Sequence, residues 1–432
     1  MRIAVIGSGI SGLGAAWLAH HEHDVRLFEK SDRIGGHAHT HHLTINGQDV
    51  SVDTGFIVYN HLNYPNLVGL FDRLGVETIA SDMSLSISLD DGDFEYEGSL
   101  RGLFGQPRNL FRRRFWSMLA GLISFYRTAY SQMDTGPEDE TVAEFVSRCG
   151  YSEAFVHDHL LPMGGAIWSC PAEAILAYPV RSFIQFMENH QLMEFFTRPQ
   201  WRTVKGGSAQ YVQKITSALG SRIQNETNIT GIRRAQGGVL ISIEGEGEVW
   251  FDKVILATHA DQALELMTDA APDEHDVLSS FGFSDNHVIL HSDPAVMPSS
   301  KSLWASWNYR AEGEEHLSVT YWMNRLQSLD PSLPLFVSLN PKTRPDERHI
   351  HAEIDYRHPL FDISAITGQR KLKQIQGQNH IYWCGAWTQY GFHEDGLKSA
   401  VATAKSLGIT VPWDSPTEPW HDVSDSTQKS SA

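Results

Sequence analysis

Apolar positions near the start of the chain follow the pattern of a strand, a helix and a second strand. Ile3 to Ile6 is a continuous apolar run, Ser11 to His20 is rich in alanine at helical spacing, and Asp24 to Glu29 returns to a strand-like pattern. A strand without polar residues is typical of a parallel sheet that is covered on both faces. The pattern therefore predicts a βαβ unit at the N-terminus.

Two later parts of the chain carry further strand signals. The segments "NITGIRRA", "GVLISIEG" and "EVWFD" alternate in polarity around glycine turns, and they lead into the apolar run 254–258. This spacing predicts a small antiparallel meander followed by a buried strand. Near the end, the apolar run 381–386 precedes glycine turns and a helical pattern from Leu397 to Leu407. We therefore expect one domain to be assembled from N-terminal, middle and C-terminal pieces.

Glycines between the first predicted strand and helix have the spacing of a dinucleotide-binding loop. Gly7, Gly9 and Gly12 form the pattern GxGxxG, and Glu29 ends the second predicted strand. In such loops the first glycine allows a tight turn, the second allows a diphosphate to approach the helix N-terminus, and the third allows close packing of helix and strand. A carboxylate at the position of Glu29 accepts hydrogen bonds from ribose hydroxyls. Strand, helix, glycines and carboxylate together predict a bound dinucleotide.

Composition narrows the class of protein. The 432 residues suit about two domains. The formal charge of −18, from 52 acidic and 34 basic residues, argues against binding of nucleic acid, which needs a basic face. Three cysteines without CxxC spacing predict neither a disulfide framework nor a thiolate zinc site. This use of cysteine suits a reducing cytoplasm, and because no apolar run reaches the roughly 18 residues of a membrane span, we expect a cytoplasmic protein that is soluble or peripheral.

The segment after Glu29 indicates which dinucleotide is bound. Arg33, Gly35 and Gly36 complete the pattern ExxxRxGG, which resembles FAD enzymes of the flavin amine oxidase superfamily, a group that includes carotenoid desaturases and protoporphyrinogen oxidases. The segments "VKGGSAQYV", "VILATHAD" and "IYWCGAWTQYGFHEDGLKSAV" are similar to further FAD-binding segments of that superfamily. The resemblance covers the chain from residue 1 to about 408, and it implies FAD as the cofactor.

The resemblance also implies which residues contact FAD. In the superfamily the N-terminus of the last helix lies near the flavin, where its dipole stabilises negative charge on the reduced ring. The implied FAD-binding residues are Gly7, Gly9, Ile10, Ser11, Gly12, Glu29, Lys30, Arg33, Gly35, Gly36, His37, Thr54, Gly55, Phe56, Thr258, Gly385, Ala386, Glu394, Asp395 and Gly396.

The implied fold is α/β and amine-oxidase-like. It consists of a discontinuous Rossmann-like FAD-binding domain, with a parallel sheet and the small meander, and of an α+β substrate domain. Ser, Thr, Asp and Pro dominate the end of the chain, which predicts a disordered tail. The predicted limits are 1–79, 201–265 and 376–412 for the FAD-binding domain, 80–200 and 266–375 for the substrate domain, and 413–432 for the tail.

The chain departs from the superfamily pattern at two places. His37 stands where the superfamily usually has an arginine near the cofactor. Amine-oxidising members carry a lysine on a strand of the substrate domain, and the comparable segment "DNHVILHSD" at 285–293 has none. The missing lysine disfavours ordinary amine oxidation. The sequence leaves the electron acceptor open among oxygen, a quinone and a protein.

A narrower resemblance concerns the substrate. Segments such as "DTGFIVYN", "LPMGGAIWS" and "VTYWMNRLQSL" resemble a bacterial subgroup of flavin oxidoreductases that is often encoded beside cyclopropane-fatty-acyl-phospholipid synthase homologues. This implies a lipid acyl chain, in some cases methyl-branched, which loses a hydride to flavin N5. The first hypothesis is thus a dehydrogenase that acts on an apolar, lipid-like substrate. The alternatives are an oxidase of an amine or other small molecule, and a non-catalytic flavin-binding partner of a lipid-modifying complex.

Candidate catalytic residues come from two regions. His393 and Glu394 lie in the C-terminal motif that the resemblance places near the flavin. Tyr321 and His287 lie in the aromatic-rich substrate region, with Asn308 as a further polar candidate among apolar neighbours. Apolar pockets use a few such groups to orient a ligand.

Two other features suggest chemistry and are better explained by structure. His37, His39 and His41 would share one face of a strand, but no Cys, Asp or Glu set completes a ligand group, so no metal site is predicted. Cys384 lies in an apolar strand directly before Gly385, which favours a buried thiol and non-covalent FAD.

Residues 98–133 form a basic stretch in an acidic chain. They contain six arginines and no acidic residue, and Arg108, Arg112, Arg113 and Arg114 alternate with large apolar side chains. This composition is typical of a helix that lies on an anionic membrane surface. The alternative is a solvated face whose arginines pair with acids elsewhere. The membrane hypothesis predicts peripheral binding at the inner face of the cytoplasmic membrane.

Overall fold

The computed structural model describes residues 1–193, 199–311 and 317–414. In chain order its strands are β1 (Arg2–Ile6), β2 (Asp24–Phe28), β3 (Thr40–Ile45), β4 (Gln48–Asp53), β5 (Tyr59–Asn60), β6 (Thr78–Ala80), β7 (Leu85–Leu89), β8 (Phe94–Glu97), β9 (Trp201–Val204), β10 (Ile223–Gln224), β11 (Ile229–Ala235), β12 (Gly238–Ile243), β13 (Gly247–Phe251), β14 (Lys253–Leu256), β15 (Phe283–His291), β16 (Trp307–Ala311), β17 (Leu317–Trp322), β18 (Phe336–Leu339), β19 (Ile350–Pro359) and β20 (Ile381–Trp383).

The helices between these strands range from one turn to about six turns. In chain order they are α1 (Ile10–Ala19), α2 (Pro65–Leu74), α3 (Leu100–Leu103), α4 (Arg113–Met133), α5 (Val142–Arg148), α6 (Glu153–Phe155), α7 (Leu161–Trp168), α8 (Ala172–Leu176), α9 (Val180–Asn189), α10 (Ala209–Leu219), α11 (Ala260–Leu266), α12 (Pro272–Leu278), α13 (Met323–Leu326), α14 (Ile363–Ile375) and α15 (His393–Ser406).

A five-stranded parallel sheet is assembled from three distant parts of the chain. Its strand order is β10-β2-β1-β14-β20, so β1 lies in the middle, between β2 and β14. The register aligns Ile3 with Lys253, and the Arg2 amide donates to Asp252 Oδ2 at 2.6 Å. The antiparallel meander β11-β12-β13 leads directly into β14. These observations confirm the predicted discontinuous, Rossmann-like α/β fold.

Glycines decide how closely α1 approaches its neighbours. Gly7 has φ +98°, and a Cβ there would lie 2.8 Å from the Ala257 carbonyl oxygen. A Cβ on Gly12 would lie 1.8 Å from the Gly7 carbonyl oxygen, so the helix begins in contact with the loop before it. Because L side chains rarely adopt that φ and no side chain fits that gap, the sequence pattern fixes the turn.

The last helix begins earlier than its apolar pattern suggests. The pattern predicted a helix from Leu397, whereas α15 starts at His393. The Phe392 amide donates to Asp395 Oδ2 at 3.0 Å, which satisfies a free N–H at the helix start. Four polar or small residues thus belong to the first turn of α15, and the first of them, His393, lines the cavity described below.

The second part of the molecule combines a sheet with a helical layer. Its seven-stranded sheet has the order β19-β15-β18-β17-β16-β7-β8 and is antiparallel except between β16 and β7. The helices α4 to α9 pack around a separate apolar core that contains Phe125, Phe155 and Phe183. The strands β7 and β8, which precede these helices in the chain, complete the sheet. No helix in the described ranges is long and apolar enough to cross a membrane.

A buried carboxylate joins the two parts. The Asp53 side chain accepts hydrogen bonds from the Ser208 amide at 2.9 Å and from the hydroxyls of Ser208 and Thr40, and Gln327 Nε2 donates to it at 2.8 Å. Gln327 also accepts from the Asp53 amide at 3.0 Å. Burial raises the pKa of Asp53 to about 6, and these hydrogen bonds oppose that rise. Asp53 therefore links β4 and the start of α10 to the substrate side.

The C-terminal boundary differs slightly from the prediction. The tail was expected to be disordered from residue 413, yet Trp413 stacks on Trp17 with ring centroids 6.2 Å apart, and its Nε1 donates to Asn66 Oδ1 at 3.1 Å. Trp413 is therefore part of the fold. Residues 415–432 lie outside the described residues, and the remaining domain limits stay predictions.

We predict that Asp53→Ala lowers the free energy of unfolding by about 3 kcal/mol or more, because several buried donors lose their acceptor. Asp49→Ala is the matched control, since Asp49 lies on the same hairpin, is exposed and, among the described residues, its side chain accepts only from Thr44. It should change stability by less than about 0.5 kcal/mol. Chemical denaturation of both variants measures the difference. Equal denaturation midpoints would contradict the role assigned to Asp53.

Candidate active site

A long cavity of about 610 Å³ lies where the parallel sheet meets the seven-stranded sheet. One end is formed by residues that follow β1, β2 and β14, and the other by side chains of β15 to β18 and of α7 and α9. Ligands of parallel α/β sheets bind at the carboxyl ends of the strands. The volume falls within the range of about 300 to 1,000 Å³ that is usual for ligand pockets.

The N-terminus of α1 opens onto this cavity. Gly9 precedes the helix with φ −66° and ψ 179°, and a Cβ built there meets no protein atom within 4 Å. Gly36 lies against Gly9, because a Cβ on Gly36 would be 2.8 Å from Gly9 Cα. Two glycines thus leave open space in front of free backbone N–H groups, which is the arrangement that accepts a diphosphate.

Glu29 lies beside the same turn. Its carboxylate accepts from the Ser8 amide at 2.9 Å, from the Ser8 hydroxyl at 2.6 Å and from the Ser31 amide at 3.0 Å. Thr227, which precedes β11, donates its amide to the Glu29 carbonyl at 2.9 Å. Glu29 is therefore held at the cavity wall with its carboxylate oriented by backbone N–H groups.

The predicted cofactor residues fall into two groups. Those that line the cavity are Gly7, Gly9, Ile10, Ser11, Glu29, Lys30, Gly36, His37, Thr54, Gly55, Phe56, Thr258, Gly385 and Ala386. Those that lie behind its wall are Gly12, Arg33, Gly35, Glu394, Asp395 and Gly396. Arg33 donates to the carbonyl oxygens of Gly36 at 2.8 Å and Ala38 at 3.2 Å, so it shapes the loop that carries His37.

The first turn of α15 places its polar residues in different surroundings. The His393 ring stacks on Phe56 with centroids 3.9 Å apart, and its Nε2 lies 2.7 Å from the Tyr211 hydroxyl. Burial lowers the pKa of His393 to about 3, so its ring is neutral. Gly396 lies against Ile10 and Ser11, because a Cβ there would be 2.8 Å from both side chains. The N-termini of α1 and α15 therefore meet at the cavity.

Glu394 points away from the cavity. It accepts from the Asn66 amide and side chain at 3.1 and 2.6 Å and from the Leu67 amide at 3.0 Å, so it caps the start of α2. Burial raises the pKa values of Glu394 and of Asp395, in the latter case to about 7. The geometry thus gives Glu394 a structural role in place of the predicted catalytic one.

The chain matches the profile of the flavin containing amine oxidoreductase family over residues 10–332. It belongs to that family. Membership confirms the predicted FAD cofactor and an oxidoreductase activity. Among curated protein sequences, none matches the chain.

Solved structures that resemble this flavin amine oxidoreductase share its fold. A fatty acid isomerase from P. acnes is 17% identical, with 94% of this chain and 98% of that chain covered and a TM-score of 0.68. Cyclohexylamine oxidase from Brevibacterium oxydans IH-35A is 16% identical, with 94% and 99% covered and a TM-score of 0.67. A reduced UDP-galactopyranose mutase is also 16% identical, with 95% and 96% covered and a TM-score of 0.67.

The cavity fits FAD on its own geometry. Besides the open space at Gly9, it is lined by residues with buried polar atoms that have no hydrogen-bond partner among the described residues. These atoms are His37 Nε2, His259 Nδ1, Trp168 Nε1 and Trp307 Nε1. Buried polar groups are normally paired, so a ligand that supplies partners is expected here.

Cys384 is fully buried and lies 3.0 Å from the Thr403 hydroxyl, and burial raises its pKa to about 12, which supports non-covalent FAD.

The substrate end of the oxidoreductase is apolar. Tyr321 lies there, with its ring at 87° to that of Trp307 and the centroids 4.9 Å apart, and its hydroxyl contacts Ser169. Burial raises the pKa of Tyr321 to about 12, so the hydroxyl stays protonated. The remaining side chains of this end include Met83, Ile167, Trp168, Phe186, Leu192, Val288, Leu339 and Phe361.

His287 and Asn308 have no place in the site. His287 is on the outer face of β15, where its Nδ1 lies 2.7 Å from Asp355 and its Nε2 2.9 Å from Glu353. Asn308 is buried and donates to the carbonyl oxygens of Ala305 and Thr320. Strand alternation explains both outcomes, since neighbouring positions of a strand face opposite sides of its sheet.

Several residues of the cavity were missed in the sequence. Tyr356 and His358 alternate along β19, and their period of two was a usable signal. His190 follows α9, and nothing in its sequence marked it. His39 contacts the Tyr356 hydroxyl, and His41 contacts the Thr54 hydroxyl. The ring centroids of the two histidines are 4.1 Å apart. The described residues hold no cluster of three metal-ligating side chains.

We predict that Gly9→Val weakens FAD binding and leaves the fold intact, because a Cβ there meets no protein atom within 4 Å and the side chain extends into the open space before α1. FAD affinity should fall at least about a hundredfold, which corresponds to roughly 3 kcal/mol. Gly12→Val is the matched control, since its Cβ would overlap the Gly7 carbonyl and should prevent folding. Flavin absorbance and circular dichroism measure the two effects. Full flavin content in folded Gly9→Val would exclude this position of the diphosphate.

Proposed function

We propose that the protein is an FAD-dependent dehydrogenase of a fatty-acyl chain or a similar apolar substrate. The observation that carries this proposal is the apolar character of the substrate end of the cavity. The cavity-lining carboxylates among the described residues are Glu29 and Glu265, and both belong to the nucleotide end. Glu265 lies in α11, beside the meander strand β11. A cationic substrate would therefore meet no carboxylate at the substrate end.

The same cavity lacks the lysine that amine-oxidising members carry. Lys30 is the one lysine that lines it within the described ranges, and it is exposed next to Glu29 at the nucleotide end. An amine oxidase is the second candidate, and the similarity in fold to cyclohexylamine oxidase is its support. The similarity to a fatty acid isomerase supports the first candidate in the same way. The lipid-linked subgroup that the sequence resembles stays a prediction.

When bound, FAD would accept a hydride from a substrate C–H bond, and a proton would then leave the neighbouring carbon. His190 is our proposed acceptor of that proton. Its Nδ1 lies 3.0 Å from the Phe186 carbonyl oxygen, which can only accept, so Nδ1 carries the hydrogen and Nε2 is the basic nitrogen. Burial lowers the pKa of His190 to about 4, which keeps the ring neutral before the reaction and makes Nε2 a weaker base than a solvated imidazole. Tyr321 donates a hydrogen bond and orients the substrate in the same compartment.

A surface patch offers a route to substrates held in a bilayer. Exposed large apolar side chains concentrate between residues 100 and 116, where Phe111 is 90% exposed. The other members of this apolar patch are Leu100, Phe104, Leu110 and Trp116. Such a concentration on a protein surface indicates an interaction site. We propose that the patch contacts an anionic bilayer, which would place the protein at the inner face of the cytoplasmic membrane.

The structure changes the role of the arginines in this proposal. Arg108 and Arg112 both pair with Asp93, and Arg114 pairs with Asp158 at 2.7 Å as well as with Asp90. Their charge is thus partly neutralised within the fold. Insertion of apolar side chains then contributes more to membrane binding than the arginines do, since a buried Phe or Leu side chain contributes about 1.5 to 3 kcal/mol.

We predict that lipid extract or a fatty acyl ester bleaches the bound flavin under anaerobic conditions and that amines do not. His190→Gln should slow this reduction by about 100-fold to 10,000-fold, the usual contribution of a positioned base. His287→Gln is the control and should react like the unmodified protein. Stopped-flow absorbance measures the rates. Rapid reduction by amines, with none by acyl substrates, would favour the oxidase.

We predict that the protein sediments with anionic liposomes and that Phe111→Ser combined with Trp116→Ser abolishes binding at unchanged flavin content. Ile363→Ser is the matched control, since Ile363 is an exposed apolar residue at the start of α14. It should bind like the unmodified protein. Because salt screens charge and strengthens apolar burial, binding should survive moderate salt. If the unmodified protein does not sediment with anionic liposomes at low salt, the apolar patch does not bind membranes and the proposal is wrong.

A further inference from the structure

A group of buried imidazoles lies beside the expected position of the FAD diphosphate. His37 follows Gly36, which contacts Gly9 at the start of α1, and it lines the cavity next to the open space. His259 follows Thr258, whose side chain lies against Gly7, and it lines the same cavity. His358 reaches the same region from β19, with its ring centroid 5.2 Å from that of His37.

Two of these rings present polar atoms without partners. His37 Nε2 and His259 Nδ1 are buried and make no hydrogen bond with the described residues. The His37 ring stacks on Tyr356 at 4.9 Å and the His259 ring on Phe283 at 4.4 Å, which fixes the orientation of both. His358 differs, because its Nδ1 lies 2.9 Å from Asn286 Nδ2. His37 and His259 are therefore the members of the group whose buried ring nitrogens have no partner among the described residues.

Arg33 and Arg357, two cationic side chains near this space, have other partners, whereas Lys30 lines the cavity and is exposed beside Glu29. Arg33 is engaged by the carbonyl oxygens of Gly36 and Ala38. Arg357, which lines the cavity, pairs with Asp261 at 2.8 Å and with Asp285 at 3.3 Å. The diphosphate carries two negative charges, so helix N-termini, imidazoles and Lys30 are the groups left to meet them.

We propose that His37 and His259 are ligands of the FAD diphosphate and that they take up protons from solvent when FAD binds. Each imidazole becomes an imidazolium beside the anion, and no bond other than N–H forms. FAD affinity is therefore set by pH. His37 thus replaces a permanently charged arginine with a charge that is present only in the complex.

The surroundings of both rings favour the neutral form before FAD binds. Burial lowers the pKa of His37 well below 6.5, and His358, His259, His393 and Arg33 lower it further. Burial lowers the pKa of His259 to about 4, with Arg357 acting in the same direction and Asp261 opposing it. A diphosphate favours the charged form and raises both pKa values.

The sign of the pH effect follows from this difference. A group with a higher pKa in the complex binds its ligand more tightly at low pH, and the gain is lost as pH rises through the pKa of the complex. FAD affinity should therefore fall as pH rises from 6 to 8, by up to about tenfold per pH unit for each linked proton. A neutral imidazole that only donates a hydrogen bond would give no such slope.

The test measures the Kd of FAD at pH 6, 7 and 8 from the fluorescence released on dilution of the holoenzyme. The Kd of the unmodified protein should rise with pH. The double variant His37→Gln/His259→Gln should bind FAD more weakly at pH 6, and its Kd should no longer depend on pH. His37→Arg should bind FAD tightly at all three pH values with a reduced slope, which keeps the test valid if the double variant fails to fold.

His287→Gln is the control, because His287 titrates on the surface and lies outside the cavity. It should leave both the Kd and the slope unchanged. A pH-independent Kd in the unmodified protein would overturn the proposal. So would a slope that persists in folded His37→Gln/His259→Gln, since other groups would then carry the linked protons.

Discussion

Parallel pairing of β1 with β2 on one side and β14 on the other is the constraint on which the structure depends. β14 lies some 250 positions after β1 in the chain, and the two strands are paired. This pairing therefore brings the meander, which directly precedes β14, next to the N-terminal βαβ unit. β20 then extends the same sheet from the C-terminal part. Three distant segments thus end at one sheet edge, and the loops after them form the nucleotide end of the cavity.

Burial of polar groups at this edge sets the electrostatics of the site. The N-termini of α1 and α15 converge there, and the nearby imidazoles are neutral because charged forms lose hydration on burial. Carboxylates that could compete with an anionic cofactor are engaged elsewhere: Glu394 by the start of α2, Asp53 by α10. The edge therefore presents N–H groups and neutral imidazoles to an anion, while Arg357 at the cavity wall is paired with Asp261 and Lys30 is exposed beside Glu29.

The two ends of the cavity have different physical tasks. The nucleotide end depends on backbone geometry, which family membership and the glycine loop explain. The substrate end depends on side chains that the seven-stranded sheet and the helices α7 and α9 bring together, and these are apolar apart from Tyr321, Ser169, His190 and the two indole N–H groups. Flavin chemistry is common to the family, so the identity of the substrate is decided by this second end.

The sequence by itself determined the βαβ unit, the FAD loop, the meander and the fold class, because each depends on local spacing: glycines where a side chain would overlap the backbone, and apolar runs where a strand is buried on both faces. It did not separate His393, which lies in the cavity wall, from Glu394, which caps α2, because adjacent helix positions differ by a rotation that only packing reveals. Nor did it join His37, His259 and His358, which come from three elements more than 90 residues apart in the chain. Their proximity was decided by the tertiary structure, through the pairing of strands that the chain brings together over long separations.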